Sequence, residues 1–172
     1  GVECLREAGG REGCDLEGEG GVVGGGNGAI DAARISSRCT DGKISMFCLE
    51  QRTGMPASEE EIREALEEGI QLHCGWGPRE VLEENGKVTA VVFKKCTRVL
   101  DEQGRFSPEY DEEETITVPC KHVIFSVGQA IDWGNMLDNL DLKRRPNGGA
   151  LANRLTYQTS EPDLFVGGDV YT

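Results

Sequence analysis

The residues of this sequence best placed to do chemistry are a run of glycines and the short residues that follow it. Gly24, Gly26 and Ala29 make the spacing G-x-G-x-x-A. It lies between an apolar stretch ending in Val22-Val23 and a segment with Ala29, Ile30 and Ala33 at helical spacing. A strand-to-helix bend of this kind can grip a diphosphate. The first glycine permits the tight turn, the second lets main chain approach the phosphates, and the third small residue lets helix and strand pack closely. Amides and the dipole at the helix start then hold negative charge without any basic side chain. Gly24, Gly25, Gly26, Asn27, Gly28 and Ala29 are therefore candidate contacts for a dinucleotide. The chain has 24 glycines, however, so local context also leaves open a loop that merely turns the chain.

A second group lies at Cys48-Leu49-Glu50-Gln51-Arg52. In dinucleotide folds an acidic side chain about 20 residues beyond the glycine loop receives the hydroxyls of the adenosine ribose, whereas arginines there bind a 2′-phosphate. Glu50 comes 24 positions after Gly26. A carboxylate there repels a 2′-phosphate, so NAD is expected over NADP, unless Glu50 is simply a solvated surface acid. Arg52 is a candidate to stack on adenine or touch phosphate. No acid–base pair or activated nucleophile stands out, so no catalytic residue is assigned.

The elements that must position these residues alternate. Val22-Val23 closes a short strand, a helix runs from the loop to about Arg38, and Lys43 to Leu49 forms a second buried strand. Ser58 with Glu61 makes a capping box for a helix that buries Ile62, Ala65 and Leu66 and stops at Gly69. Ile70 and Leu72 begin a third strand. Strand, helix, strand, helix, strand argues for a parallel sheet with right-handed crossovers. Beyond it, Val81-Leu82 and Val88 to Phe93 flank Asn85-Gly86, a strong hairpin signal. Asp101 to Glu114 reads as an exposed, mobile hairpin tip, and Thr115 to Val118 and His122 to Val127 as two more strands. The expected fold class is thus α/β, a Rossmann-like parallel sheet with helices plus an antiparallel β-meander. Gly1 to Ala8 could form a short helix.

Composition narrows the partners. Lys and Arg number 18 against 31 Asp and Glu, a formal charge of -13, which repels nucleic acid and anionic lipid surfaces. No run approaches the roughly 18 apolar residues of a membrane span, and no basic-then-apolar leader opens the chain, so a soluble, cytoplasmic protein is expected. The seven cysteines (Cys4, Cys14, Cys39, Cys48, Cys74, Cys96 and Cys120) are scattered and contain no C-x-x-C. They are best read as small buried hydrophobes or inert thiols. His73 and His122 have no ligand-spaced partners, and no metal is expected.

Four segments in order, VVGGGNGAIDAAR (Val22 to Arg34), Met55-Pro56-Ala57 with its acidic helix, HVIFSVGQ (His122 to Gln129) and QTSEPDLFVGGDV (Gln158 to Val170), are together specific. The chain resembles the FAD-dependent pyridine nucleotide–disulfide oxidoreductases, in the glutamate synthase small-subunit-like branch. Residues 1–19 read as peripheral, since Gly9 and Gly10 break any helix there; the resemblance, which covers the chain from about Gly20, implies that 20–128 form the NAD(P)H-binding domain and that 129–172 return toward the FAD-binding domain and end in the GGD motif. It implies that Val127-Gly128 lies where the chain leaves the inserted domain, with Gly128 close to the cofactor, and that Gly168 and Asp169 contact FAD. NADP-using members carry two arginines after the second strand, where this chain has Leu49 and Glu50. Gly20 and Gly21 replace apolar residues of the first strand, which predicts fraying.

The implied function is to present NADH for hydride transfer to or from FAD, as part of a longer oxidoreductase that is inactive as this piece alone. The implied partners are the FAD-binding domain and iron–sulfur domains or subunits, whose ligands are not among these residues. Two alternatives compete: an S-adenosylmethionine-dependent methyltransferase, which also places a glycine loop before an acid-tipped strand, and a non-catalytic interaction domain with a vestigial nucleotide site.

Overall fold

The computed structural model describes residues 16–128 and 131–171, with Asp169 through its main chain only. The helix expected at Gly1 to Ala8, together with Cys4 and Cys14, lies outside the described residues. The chain divides after Val127 into two compact units.

In the first unit, four parallel strands stand in the order β3-β2-β1-β7: β1 (Gly20–Val23), β2 (Ile44–Cys48), β3 (Gln71–Cys74) and β7 (His122–Phe125). Helix α1 (Asn27–Cys39) links β1 to β2, and α2 (Glu59–Glu67) links β2 to β3. Between β3 and β7 the chain makes an antiparallel sheet of β4 (Trp76–Glu84), β5 (Lys87–Leu100) and β6 (Phe106–Pro119). The expected fold class is the observed one.

Alternation along the strands sorts their side chains to two faces. Val22, Ile44 and Met46 pack with Ala29, Ile30 and Ala33 of α1 and Ile62 and Ala65 of α2. Val23 and Phe47 face the other way, onto Val91, Phe93 and Cys120, a second cluster that packs the antiparallel sheet against the parallel one. Phe47 stacks on Phe93 with ring centroids 3.9 Å apart and on His73 at 4.7 Å. The parallel sheet is therefore covered on both faces, as its nearly unbroken apolar strands require.

Two sequence expectations need correction. Gly20 and Gly21 do not fray: β1 is buried throughout and hydrogen-bonded on both sides, Gly20 lying opposite Ile44 and His122. A Cβ on Gly20 would meet Ile44 Cδ1 at 2.8 Å, so the neighbouring isoleucine fills the place of the missing side chain. The stretch from Asp101 to Glu114 is not a long tip either. Only 101–105 turn; the rest is β6, paired with β5. Its acids are tolerated in a strand because basic residues face them: Lys94 meets Glu112 at 2.6 Å, Lys95 meets Glu114 at 3.9 Å, and Arg98 pairs with Glu109. Asp101 closes the turn by accepting the amides of Gln103 and Arg105, both at 2.9 Å.

Local signals held at the other turns. Asn85 and Gly86 have φ of 55° and 75°, the left-handed pair of a type I′ hairpin. At the end of α2, Gly69 (φ 86°) donates to Leu66 O at 3.0 Å and Ile70 donates to Ala65 O at 3.1 Å, the two bonds of a Schellman stop. The capping box is only half made. Ser58 Oγ accepts the Glu61 amide at 3.3 Å, but the Ser58 amide goes to Asn27 Oδ1 at 2.9 Å. Glu61 instead joins Glu64 and Glu68 around Arg34 of α1, at 3.2, 2.8 and 2.7 Å.

In the second unit, isolated bridges pair Arg144 with Ala150 and Gln158 with Phe165. Trp133 Nε1 donates to Gly148 O at 3.0 Å, and Arg145 lies over the Tyr171 ring, 5.0 Å from its centroid. Leu142 and Ala150 are buried within it.

Burial lowers the pKa of His73, which sits against Phe47. Its contribution is complete above the ordinary imidazole value and is lost as pH falls through the lowered native one. Urea unfolding of His73→Gln is therefore expected to show a smaller stability loss between about pH 7 and pH 5 than the native chain. An unchanged loss would mean that His73 charges as easily folded as unfolded.

Candidate nucleotide-binding site

The carboxyl ends of β1, β2 and β7 converge on the glycine run. Gly24 follows β1 directly; its amide donates to Phe47 O of β2 at 2.8 Å, while the Ser126 amide donates to Val23 O at 2.8 Å. Gly24 has φ 149°, and a Cβ there would meet Ser126 O at 2.4 Å and the Ala29 Cβ at 2.9 Å. A hydrogen is thus the only substituent that fits, and the small Ala29 lets α1 pack against the strand end. Both roles are those expected of the first and third positions of the motif.

Gly25 is crowded from the other side. A Cβ there would meet Glu50 Oε2 at 2.7 Å, Cys48 Cβ at 3.2 Å and Pro56 Cδ at 3.3 Å. Glu50, just past the end of β2, therefore hangs over the loop. Gly25 O accepts the Ala57 amide at 3.0 Å, and Asn27 Oδ1 accepts that of Ser58. The loop is fastened to the 55–58 segment, which explains why Met55-Pro56-Ala57 accompanies the glycines in the sequence.

Gly26 differs: a Cβ there would meet nothing within 4 Å. It is the N-cap of α1, with φ -94° and ψ 173°, and no side chain caps the helix. Its carbonyl accepts from Ala29 at 3.0 Å and from Ile30 at 3.2 Å, completing the first helical turn. No acid lies in that turn, whereas α2 carries Glu59, Glu60 and Glu61 in its own. In a chain of net charge -13, the start of α1 keeps the positive end of its dipole uncompensated by a carboxylate of its own first turn. Chemically, the arrangement can receive an anion on main-chain amides, with a carboxylate acceptor close by.

Arg52 opens a short 3-10 turn, Arg52–Gly54, and its guanidinium forms two bonds to Glu59, Nη1 to Oε1 at 2.8 Å and Nη2 to Oε2 at 2.9 Å. Glu59 holds the Arg52 pKa up, and Arg52 holds the Glu59 carboxyl below its ordinary range. Burial pushes the thiols of Cys48, Cys96 and Cys120 up, so these three behave as core residues rather than nucleophiles.

Gly24 to Ala29, Glu50 and Arg52 are thus brought to one strand edge. Gly128 (φ 98°) and Gly168 (φ 62°) belong to the second unit, where Gly168–Val170 forms a 3-10 turn. The contact expected of the Asp169 side chain, like anything at Gln129, lies outside the described residues. Sequence reasoning missed Ser126, whose carbonyl abuts Gly24, and Glu59, which engages Arg52. Neither carries a local signal, since each matters only through a contact made in space.

A family model described as pyridine nucleotide-disulphide oxidoreductase matches residues 11–172. Among curated proteins, the NADP(+)-dependent formate dehydrogenase subunit beta of Moorella thermoacetica is 31% identical over 87% of this chain and 21% of its own length. The NADPH-Fe(3+) oxidoreductase subunit beta of Geobacter sulfurreducens is 36% identical over 70% of this chain and 18% of its own length. The glutamate synthase [NADPH] small chain of Azospirillum brasilense is 30% identical over 87% and 31% respectively. This chain therefore spans under a third of those relatives. The crystal structure of T. acidophilum thioredoxin reductase shares the fold, with a TM-score of 0.70 and 19% identity over 90% of this chain and 44% of that one.

Gly24 and Gly26 should respond unequally to one added methyl. Gly24→Ala is expected to lose at least about 2 kcal/mol in chemical denaturation, from the strained φ together with the clash. Gly26→Ala is expected to lose about 1 kcal/mol or less, the cost of a poorer N-cap. Equal losses would contradict the geometry described for Gly24.

Proposed function

The chain belongs to the pyridine nucleotide-disulphide oxidoreductases, and from that premise we propose that its first unit binds a nicotinamide dinucleotide at Gly24 to Ala29 and presents it for hydride exchange with FAD. The observation that carries this reading is the space over Gly26. There the main chain is bare, the helix start has no side-chain cap, and its first turn lacks an acid. The cradle fits a pyrophosphate, and Glu50 beside it suits the hydroxyls of a ribose.

When bound, the nicotinamide supplies a hydride donor or acceptor, and the flavin takes or returns it. What this chain does is hold and orient. Amides at the start of α1 would bind the diphosphate, with Gly26 leaving the approach open and Asn27 keeping the loop fastened to Ser58. Gly128 would lie near the cofactor, and Gly168 and Asp169 would contact the flavin, on the family's pattern. The flavin domain is the expected partner. Iron–sulfur domains or subunits are proposed as onward carriers, in keeping with relatives named as subunits. The methyltransferase alternative fails, because the oxidoreductase family model covers nearly the whole chain.

We further propose NADH as the preferred nucleotide. Glu50 places a carboxylate where a 2′-phosphate would bring like charge, and Arg52 is already engaged by Glu59. The names of the relatives favour the other nucleotide: each of the three cited carries NADP(+) or NADPH. Under that second reading, Arg52 would leave Glu59 for the phosphate.

Calorimetric titration of NADH and NADPH separates these readings. NADH is expected to bind more tightly than NADPH, and Gly26→Val to weaken NADH about tenfold or more while the circular dichroism stays native. Undiminished NADH binding in that variant would exclude the loop as the site. Tighter NADPH binding would overturn the role given to Glu50.

A further inference from the structure

We propose that Glu59 is a specificity-determining residue: by occupying both arms of the Arg52 guanidinium it withdraws the cation that an adenosine 2′-phosphate would need, and so disfavours NADPH. The inference rests on the reading above, that the edge formed by Gly25 and Glu50 receives the adenosine ribose.

The placement is built from three fixed contacts. Arg52 comes two residues after Glu50, in the 3-10 turn that follows β2, so it stands at the strand tip where a 2′-phosphate is ordinarily met. Glu59 is the first residue of α2, and the residues before it are tied to the glycine loop itself. Ala57 donates to Gly25 O at 3.0 Å, and Ser58 donates to Asn27 Oδ1 at 2.9 Å. The loop thereby sets where the start of α2, and with it the Glu59 main chain, lies. The Glu59 carboxylate meets Arg52 through two parallel bonds of 2.8 and 2.9 Å, the fork geometry a phosphate would otherwise use.

The same geometry shows why the control is by competition rather than by blockage. The Glu59 side chain is 80% exposed and that of Arg52 37% exposed, so the pair faces water and is individually weak. A 2′-phosphate can displace Glu59, but it does so against a neighbouring like charge and with Glu60 beside it. Arg52, Glu59, Glu60, Arg63 and Leu66 line one surface groove next to this tip. Arg63, the other cation there, is drawn toward Glu67, 3.8 Å away. Neutralising Glu59 leaves no buried charge without a partner, so the substitution is one the fold tolerates.

The test compares NADH and NADPH dissociation constants for the native chain, Glu59→Gln, and Glu59→Gln combined with Arg52→Gln, with Gly26→Val as the reference for the loop. Glu59→Gln is expected to tighten NADPH about three- to fivefold at low salt and to leave NADH within about twofold. The gain should shrink at high salt and vanish when Arg52 is also replaced, which a merely structural effect of Glu59 would not produce. An NADPH-to-NADH ratio unmoved by Glu59→Gln, with Gly26→Val still weakening NADH binding, overturns the inference and leaves the binding reading standing. NADH binding indifferent to Gly26→Val overturns both.

Discussion

Main-chain atoms at Gly24 and Ser126 approach so closely that one methyl group on Gly24 would lie 2.4 Å from a carbonyl oxygen. That contact, possible only without a side chain, brings the end of β7 against the turn after β1 and aims α1 away from the strand tips. The rest of the edge follows from it. Phe47 O holds the Gly24 amide, Ala57 holds Gly25 O, and Asn27 reaches across to Ser58, so the end of β2 and the 55–58 segment join Ser126 in fixing one short loop. Among its glycines only Gly26 combines open space with the cap position of a helix, and this difference in crowding separates the turn-makers from the position proposed to face the ligand.

The packing beneath is what keeps such a loop rigid. Four short strands could not hold an edge by hydrogen bonds alone. Here the parallel sheet is pressed between α1 and α2 on one face and the antiparallel sheet on the other, and Phe47 and Phe93 close the second contact ring to ring. Gly20 and Gly21 belong to the same logic. In a central strand, glycines are tolerable where neighbouring side chains such as Ile44 take up the volume.

Much of this was legible in the residues themselves. The strand–helix alternation, the Asn85-Gly86 hairpin, the stop at Gly69 and the roles of Gly24 and Ala29 follow from local chemistry that tertiary contacts reinforce. The failures share one cause. The acids of β6 looked like a solvated tip because Lys94, Lys95 and Arg98, which make a strand of them, lie on another segment. Ser58 and Glu61 looked like a reciprocal box because nothing local reveals that Asn27 takes the Ser58 amide and Arg34 takes Glu61. Ser126 and Glu59 went unseen for the same reason. A site built from contacts between distant segments is readable in sequence only at the positions where the backbone itself is special.

The central claim is that amides at the start of α1 receive the diphosphate of a dinucleotide. Nuclear magnetic resonance of the 15N-labelled chain during NADH addition tests it most directly. The account predicts that the largest shift changes fall on the amides of Gly25, Gly26, Asn27 and Gly28, with Glu50 following. Changes centred elsewhere, on the β5–β6 hairpin for instance, with the loop amides unmoved, would contradict it.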